Sequence, residues 1–243
     1  MKKLLNLLLL PILLVCSCGS KNKLNDNTII IGASPTPHAE ILEAARPIFK
    51  EKGLTLKIKV LQDYVTPNTL LDSGDLDANY FQHVPYLNEF NEKNGTKLSW
   101  LCKVHFEPMG IYSLKHTDLS CENPKIAIPN DVSNGERARL LLNLHMVGGT
   151  IIQAEAQALP SLLKDVDYAV INGNYALAAK ITDKCIVAED KESAIAQRNA
   201  NVIAIKQESE KYAWATKLID IFKDRRIADF IKATYGSSVI AVF

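Results

Sequence analysis

An α/β fold divided into two lobes is what the sequence predicts, and three observations predict it. Short β-branched runs alternate with amphipathic helical stretches along the body of the chain, the pattern of α/β layers. The alternation falls into two units of similar size. No internal repeat, low-complexity tract or long linker separates them.

The first segment stands outside those layers. Lys2 and Lys3 precede an apolar run from Leu4 to Val15, interrupted only by Asn6. A bilayer span needs about 20 apolar residues, so the run reads as a secretory signal. It ends in VCSCG, where Cys18 follows a small residue as in a bacterial lipobox, a better fit than Cys16. Residues 1–17 are therefore expected to be a signal peptide, Cys18 to carry lipid, and residues 18–27 to form a polar tether. The setting is then the cell envelope, with a lipid-anchored protein facing the periplasm or cell exterior.

Thr28–Ala33 (TIIIGA) predicts a buried strand. The stretch after it places Ile41, Leu42, Ala45, Ile48 and Phe49 on one helical face, with Gly53 as the stop and Pro47 expected to kink or split the helix. Leu54–Val60 alternates as a second strand, and Pro67–Asp72 predicts a short helix. GDLDANYFQHVPYL (74–87) crowds aromatic rings around Pro85, so neither a regular helix nor an interior strand is expected through it. Tyr86–Lys93 reads as helix, Lys97–Lys103 and Met109–Leu114 as strands.

The second unit opens with a strand at Lys125–Ile128. Ser133 and Glu136 have capping-box spacing ahead of Leu140, Leu141 and Leu144, and Gly148 and Gly149 would end that helix. A short helix at Leu159–Lys164, a strand at Tyr168–Ile171, a helix over Tyr175–Ile181 and strands at Cys185–Ala188 and Asn201–Ile205 follow. The remainder is helical, with Gly236 as its stop. Glu107–Ser113 and Asn201–Lys206 are the stretches expected to cross between lobes. That places the first lobe at 28–110 with a return at 205–243, and the second at 111–204.

Composition removes several function classes. The whole chain carries 28 Lys and Arg against 27 Asp and Glu, a formal charge of +1, which becomes −1 once Lys2 and Lys3 leave with the signal. Nothing electrostatic favours nucleic acid. Cys102, Cys121 and Cys185 form no CxxC pair, so free thiols or at most one bridge are expected. GxSxG, HExxH, GxxxxGK[ST] and GxGxxG are all missing, and the five histidines have no partner at zinc-site spacing. Asp75-Leu-Asp77-Ala-Asn79 starts like a calcium loop, but Tyr80 and Tyr86 stand where that loop needs Gly and Glu. The sequence thus calls for no enzyme activity, metal or cofactor.

What is left is a set of polar residues where strands end and helices begin, the usual ligand edge of an open α/β sheet. Asn134 and Arg137 share a helical face after the KIAI strand, and an Arg fork near a helix start suits a carboxylate; a solvated surface Arg is the plain alternative. Asn172 ends one strand and Asn201 opens another. Each could offer an amide oxygen to an ammonium group, or simply be a turn residue or cap. Tyr64, Tyr80, Phe81 and His83 in the first unit would wall an apolar pocket suited to a thioether, unless they are core.

These residues fall in motifs that resemble the NlpA-type family of methionine-binding lipoproteins, the substrate receptors of bacterial methionine importers. The likeness runs through DYVTPN (63–68), GDLDANYFQHVPYL (74–87), EPMGIYS (107–113), IPNDVSNGERARLLL (128–142), AVINGNYA (169–176) and AEDKES (188–193). It implies a type II-like, two-lobed periplasmic-binding-protein fold closing on an amino acid. Tyr64, Phe81 and His83 would line the side-chain pocket, Arg137 would hold the carboxylate, and Asn172 and Asn201 the amino end, with Tyr80 and Asn134 as further candidates. The implied ligand is L-methionine, and the implied partners are an ABC permease with its ATPase. D-methionine or a methionine-containing dipeptide is the near alternative, and a structural or adhesive lipoprotein a distant one. The chain between Met146 and Asn172 is shorter than the family commonly has.

Overall fold

A computed structural model describes residues 27–243; the signal, lipidation and tether expectations fall outside the described residues, apart from Asn27. Eleven strands form two sheets among those residues. In the first half these are β1 (Thr28–Ala33), β2 (Thr55–Val60), β3 (Ala78–His83), β4 (Leu98–Phe106) and β5 (Gly110–Tyr112). Then come β6 (Lys125–Pro129), β7 (Thr150–Ala154), β8 (Tyr168–Ile171), β9 (Cys185–Ala188), β10 (Asn201–Lys206) and β11 (Ile240–Ala241). The helices are α1 (Glu40–Glu51), α2 (Thr66–Ser73), α3 (Val84–Asn94), α4 (Val132–Leu144), α5 (Leu159–Leu162), α6 (Gly173–Ala178), α7 (Ala194–Arg198), α8 (Ala213–Phe222) and α9 (Arg225–Tyr235).

The first sheet has the order β11-β4-β10-β3-β1-β2 and the second β7-β6-β8-β5-β9. Each has a parallel trio, β2-β1-β3 or β7-β6-β8, flanked by one antiparallel strand, β10 or β5. That shared plan makes two lobes of one architecture. The chain leaves the first sheet between Phe106 and Gly110 and returns between Ala188 and Asn201. The second crossing therefore lies upstream of the one expected, because β10 pairs with β3 and β4 from Asn201 onward.

Apolar periodicity explains the packing. Ile41, Leu42, Ala45, Ile48 and Phe49 of α1 are buried against Leu218, Ile221 and Phe222 of α8 and Ile227 and Ile231 of α9. Each such Ile, Leu or Phe side chain contributes roughly 1.5–3 kcal/mol when fully buried. Helix α1 runs unbroken past Pro47; the separate turn lies earlier, at Pro35–Ala39.

Three local expectations fail for identifiable reasons. The stretch around Pro85 is regular: β3 is an interior strand, buried at all six positions, and Pro85 lies in the first turn of α3, where a missing N–H is harmless. Helix α4 is capped by Asp131, which accepts from Asn134 N at 2.8 Å, and not by Ser133. It ends at Leu144, before the glycines. Strands β7 and β11 and helix α7 were not expected. They are short elements, and the only fully continuous pairing of β7 is with one neighbour, β6.

Candidate functional site

The carboxyl ends of the parallel strands of both sheets meet across one cleft, the position open α/β sheets reserve for ligands. The first sheet contributes Tyr64 from the loop after β2, Phe81, Gln82 and His83 from the end of β3, Tyr86 from α3, Glu107 after β4, and Asn201. The second contributes Asn134 and Arg137 from α4 and Asn172, Gly173 and Asn174 after β8. The walls stand close together. They leave a cavity of about 20 Å³ between them.

Seven of the eight predicted residues line this cleft, and Tyr80 does not. Its ring is buried in the first lobe's main core against Phe222, and its hydroxyl donates to His105 Nδ1. Alternation along β3 explains the difference: Ala78 and Tyr80 face the main core, and Phe81 faces the other side with Leu71 and Tyr86. Val202 pairs with Gln82 and Ile203 with Tyr80, so Phe81 is an extra residue in a bulge. The bulge turns Gln82 to the side of Asn79, to which it donates at 2.9 Å, and Phe81, Gln82 and His83 line the cleft.

The polar groups form one network across the lobes. His83 Nδ1 accepts from Tyr86 N at 3.1 Å, which leaves its Nε2–H to donate to Asn134 Oδ1 at 3.1 Å. Burial, with the Arg137 charge nearby, lowers the His83 pKa to about 3, so the ring is neutral. Asn134 Oδ1 also accepts from Asn172 Nδ2 at 2.8 Å. Asn172 Oδ1 is then left buried with no partner. A buried unpaired acceptor costs about 1–3 kcal/mol, so a donor that reaches it is strongly favoured.

Arg137 is buried, not a surface residue, and most of its fork is already used. Its Nε and Nη2 donate to Glu189 at 2.7 and 2.5 Å, and Nη2 also donates to the Glu107 carbonyl at 2.9 Å. Only Nη1 lacks a partner among the described residues. Arg137 also lies in the second turn of α4, since the helix starts at Val132.

Asn201 differs from its expected role as well. Its Oδ1 accepts from His38 Nε2 at 3.1 Å, so the side chain offers the cleft its N–H₂ donors. Behind it, His105 Nε2 donates to Glu107 Oε1 at 2.6 Å, and burial holds both His38, with its pKa lowered to about 4, and His105, at about 3, in the neutral form. Burial raises the Glu107 pKa, while His38 and Arg137 oppose that rise.

Glu107 and Glu189 were not among the predicted site residues. Both lie in the quoted motifs EPMGIYS and AEDKES, but a lone Glu at a strand end carries no spacing signal. Gly173 is needed for the same junction: a Cβ there would sit 2.8 Å from Glu107 Cβ and 3.1 Å from the Pro108 carbonyl.

The two lobes also bind each other directly. Tyr64 donates to Asn174 Oδ1 at 2.6 Å, and Tyr175 donates to the Gln62 carbonyl at 3.0 Å. Glu89 of α3 accepts from Val132 N at 3.1 Å and Ser133 N at 2.8 Å, capping α4 from the opposite lobe. The cleft is closed.

The sequence profile of the NlpA lipoprotein family matches residues 29–147 and 150–243. The chain belongs to the NlpA lipoprotein family. Its break at 148–149 coincides with the glycines that follow α4, within the segment noted as short. Among this family's members, the methionine-binding lipoprotein MetQ of Bacillus subtilis is 34% identical, over 94% of this chain and 93% of its own length. A Vibrio cholerae relative described as a probable D-methionine-binding lipoprotein is 33% identical, over 84% of this chain and 87% of its own. A nutrient binding protein from Burkholderia cenocepacia, solved bound to methionine, superposes with a TM-score of 0.83 at 35% identity, covering 88% of this chain and all of that one. The two-lobed binding-protein fold is thereby established for this chain. Among the described residues no helix is long and apolar enough to cross a membrane.

Proposed function

We propose that this protein is a lipid-anchored extracytoplasmic receptor that binds L-methionine between its lobes and hands it to an ABC permease and its ATPase. The observation that carries the reading is the orphaned Asn172 Oδ1, buried in the cleft wall and suited to an ammonium group. Glu107 adds a carboxylate from the first lobe's side. Arg137 Nη1 and the Asn201 amide donors suit a carboxylate. Tyr64, Phe81, Tyr86 and neutral His83 form an apolar, polarizable wall for a thioether side chain. A first lobe of residues 28–106 with the return at 201–243, and a second of residues 110–188, would hinge at the two crossings to admit the ligand. Cys18 would hold the mature protein at the membrane, and no catalytic step is assigned to it.

The Vibrio cholerae relative's description motivates D-methionine as the second reading, since the same donors and acceptors contact either enantiomer's backbone groups. Mass spectrometry of the denatured, freshly purified protein identifies the bound amino acid. Titration of the stripped protein with each enantiomer and with a methionine dipeptide ranks them. No heat with any of the three at millimolar concentration would overturn the proposal.

A further inference from the structure

The loop from Ser113 to Pro124 and the start of β8 bring together three side chains that sequence spacing keeps apart. His116, Cys121 and Asp167 offer one ligand atom each, all within 4.8 Å of one another. From this we propose a Zn²⁺ site on the outer face of the second lobe, separate from the cleft, with His116, Cys121 and Asp167 as its protein ligands.

The geometry suits that ion. Zinc bonds of about 2.0–2.3 Å in a tetrahedron put ligand atoms roughly 3.3–3.6 Å apart. His116 Nε2 lies 3.6 Å from Asp167 Oδ1. All three side chains are partly exposed, and no pair of the ligand atoms is more than 4.8 Å apart. Imidazole, thiolate and carboxylate together select a borderline divalent ion, and a calcium or magnesium site would need oxygens throughout. The fourth position is left to water.

The ligand atoms are only weakly engaged, and the surroundings hold them in place. Cys121 Sγ is a free thiol whose only contact is a long one, 3.9 Å to the Glu122 carbonyl. Asp167 uses Oδ2 to accept from Lys125 N at 2.8 Å, which aims Oδ1 at the loop. Tyr168 accepts from Cys121 N at 3.3 Å, donates to the Asp118 carbonyl at 2.9 Å and packs beside the His116 ring. Ser113 Oγ accepts from Lys115 N and His116 N while donating to the Asp167 carbonyl. Both loop anchors thus use atoms other than the ligands. The one competitor is Lys115, whose Nζ is 3.5 Å from Asp167 Oδ1; its side chain is 42% exposed and can swing to solvent.

On binding, the Cys121 S–H bond breaks, its proton goes to solvent, and the sulfur pair forms the Zn–S bond. Thiolate and carboxylate then neutralise the dication. The other cluster of this kind among the described residues, His38, His105 and Glu107, differs in being wholly buried, with His105 bonded to Glu107 and His38 to Asn201.

Co²⁺ is the probe, added to the full chain in detergent micelles. The expected result is one ion per chain with a sulfur-to-cobalt charge-transfer band in the near ultraviolet, displaced by Zn²⁺. Cys121→Ser should abolish the band, and Cys185→Ser should keep it. His116→Ala and Asp167→Asn should each weaken affinity at least tenfold, while methionine titrations stay unchanged. No band, or a band that survives Cys121→Ser, overturns the site. Should Cys121→Ser misfold, full affinity in His116→Ala overturns it equally.

Discussion

Glu189→Gln removes one negative charge from beneath Arg137 while keeping the side chain's size. Glu189 accepts three hydrogen bonds, from Arg137 Nε and Nη2 and from Met109 N at 2.9 Å. Glutamine has one oxygen where the carboxylate has two, so at least one of these bonds is lost. The Arg137 charge is then left unneutralised in a site where both partners are more than nine-tenths buried. Breaking a buried pair in this way costs about 3–5 kcal/mol. For a chain of this size each kcal/mol moves the midpoint by roughly 2–4 °C, so the ligand-free variant should melt about 6–20 °C lower.

A ligand carboxylate on Arg137 Nη1 supplies the missing charge. Methionine at a hundredfold excess over Kd should stabilise the parent protein by about 2.7 kcal/mol. At the same concentration it should stabilise Glu189→Gln by more, because part of the lost pairing returns. Methioninol, which lacks the carboxylate, should not show that excess. Thermal unfolding of both proteins with each compound is the assay. A variant as stable as its parent, or equal methionine shifts in the two, would refute the assignment of Arg137 to the ligand carboxylate.

Three further outcomes are expected. Asn172→Leu removes the orphaned acceptor and should weaken methionine binding at least tenfold, about 1.4 kcal/mol, with little change in melting temperature; a loss under threefold by titration calorimetry removes Asn172 from the site. Glu89→Ala frees the α4 amides and should cost closure about 0.5–2 kcal/mol, as for a lost cap; unchanged scattering of the ligand-free protein together with unchanged affinity would contradict this. Acid should destabilise the fold through His38 and His83. Their folded pKa values, about 4 and about 3, lie below the ordinary 6.5, so between those limits the unfolded chain binds more protons. That stability is complete above pH 6.5 and lost as pH falls towards 4 and 3, at about 1.4 kcal/mol per unit per histidine. His83→Gln should flatten the slope of melting temperature against pH, and an unaltered slope counts against a buried neutral His83.

Much of the layer plan was legible because it rests on periodicity. The α1 face, β8 and β9 follow directly from apolar spacing. Pro85 misled because one residue type has two meanings: it forbids a strand interior, and it also starts a helix, and only the end of β3 at His83 decides between them. The cap of α4 was misplaced because Asp131 and Ser133 both have capping side chains, and the choice depends on where β6 ends. Seven cleft residues were readable as polar or aromatic groups at element junctions. Tyr80 and Phe81 separate only once the stretch is a strand, whose alternation turns them to opposite faces. Glu189 and the Asp167 cluster depend on contacts between distant segments, which no local pattern reports.

Closure is where these separate features bear on one equilibrium. The bonds from Tyr64 to Asn174, Tyr175 to Gln62, His83 to Asn134 and Glu89 to α4 all join the first lobe to the second. In the hinge proposal none of them exists in the open form, where water takes their place. Each such exchange is worth only about 0.5–1.5 kcal/mol net, and closing also orders both crossings. Against this the closed form carries the orphaned Asn172 Oδ1 and a half-used Arg137. A ligand shifts an equilibrium only by its differential affinity. An amino acid that fills those two positions removes the cost of the orphaned acceptor and adds a charge-assisted bond to Arg137, so it favours closure beyond what its own burial supplies. A compound with the same side chain but without either charged group should bind the aromatic wall and leave the lobes apart.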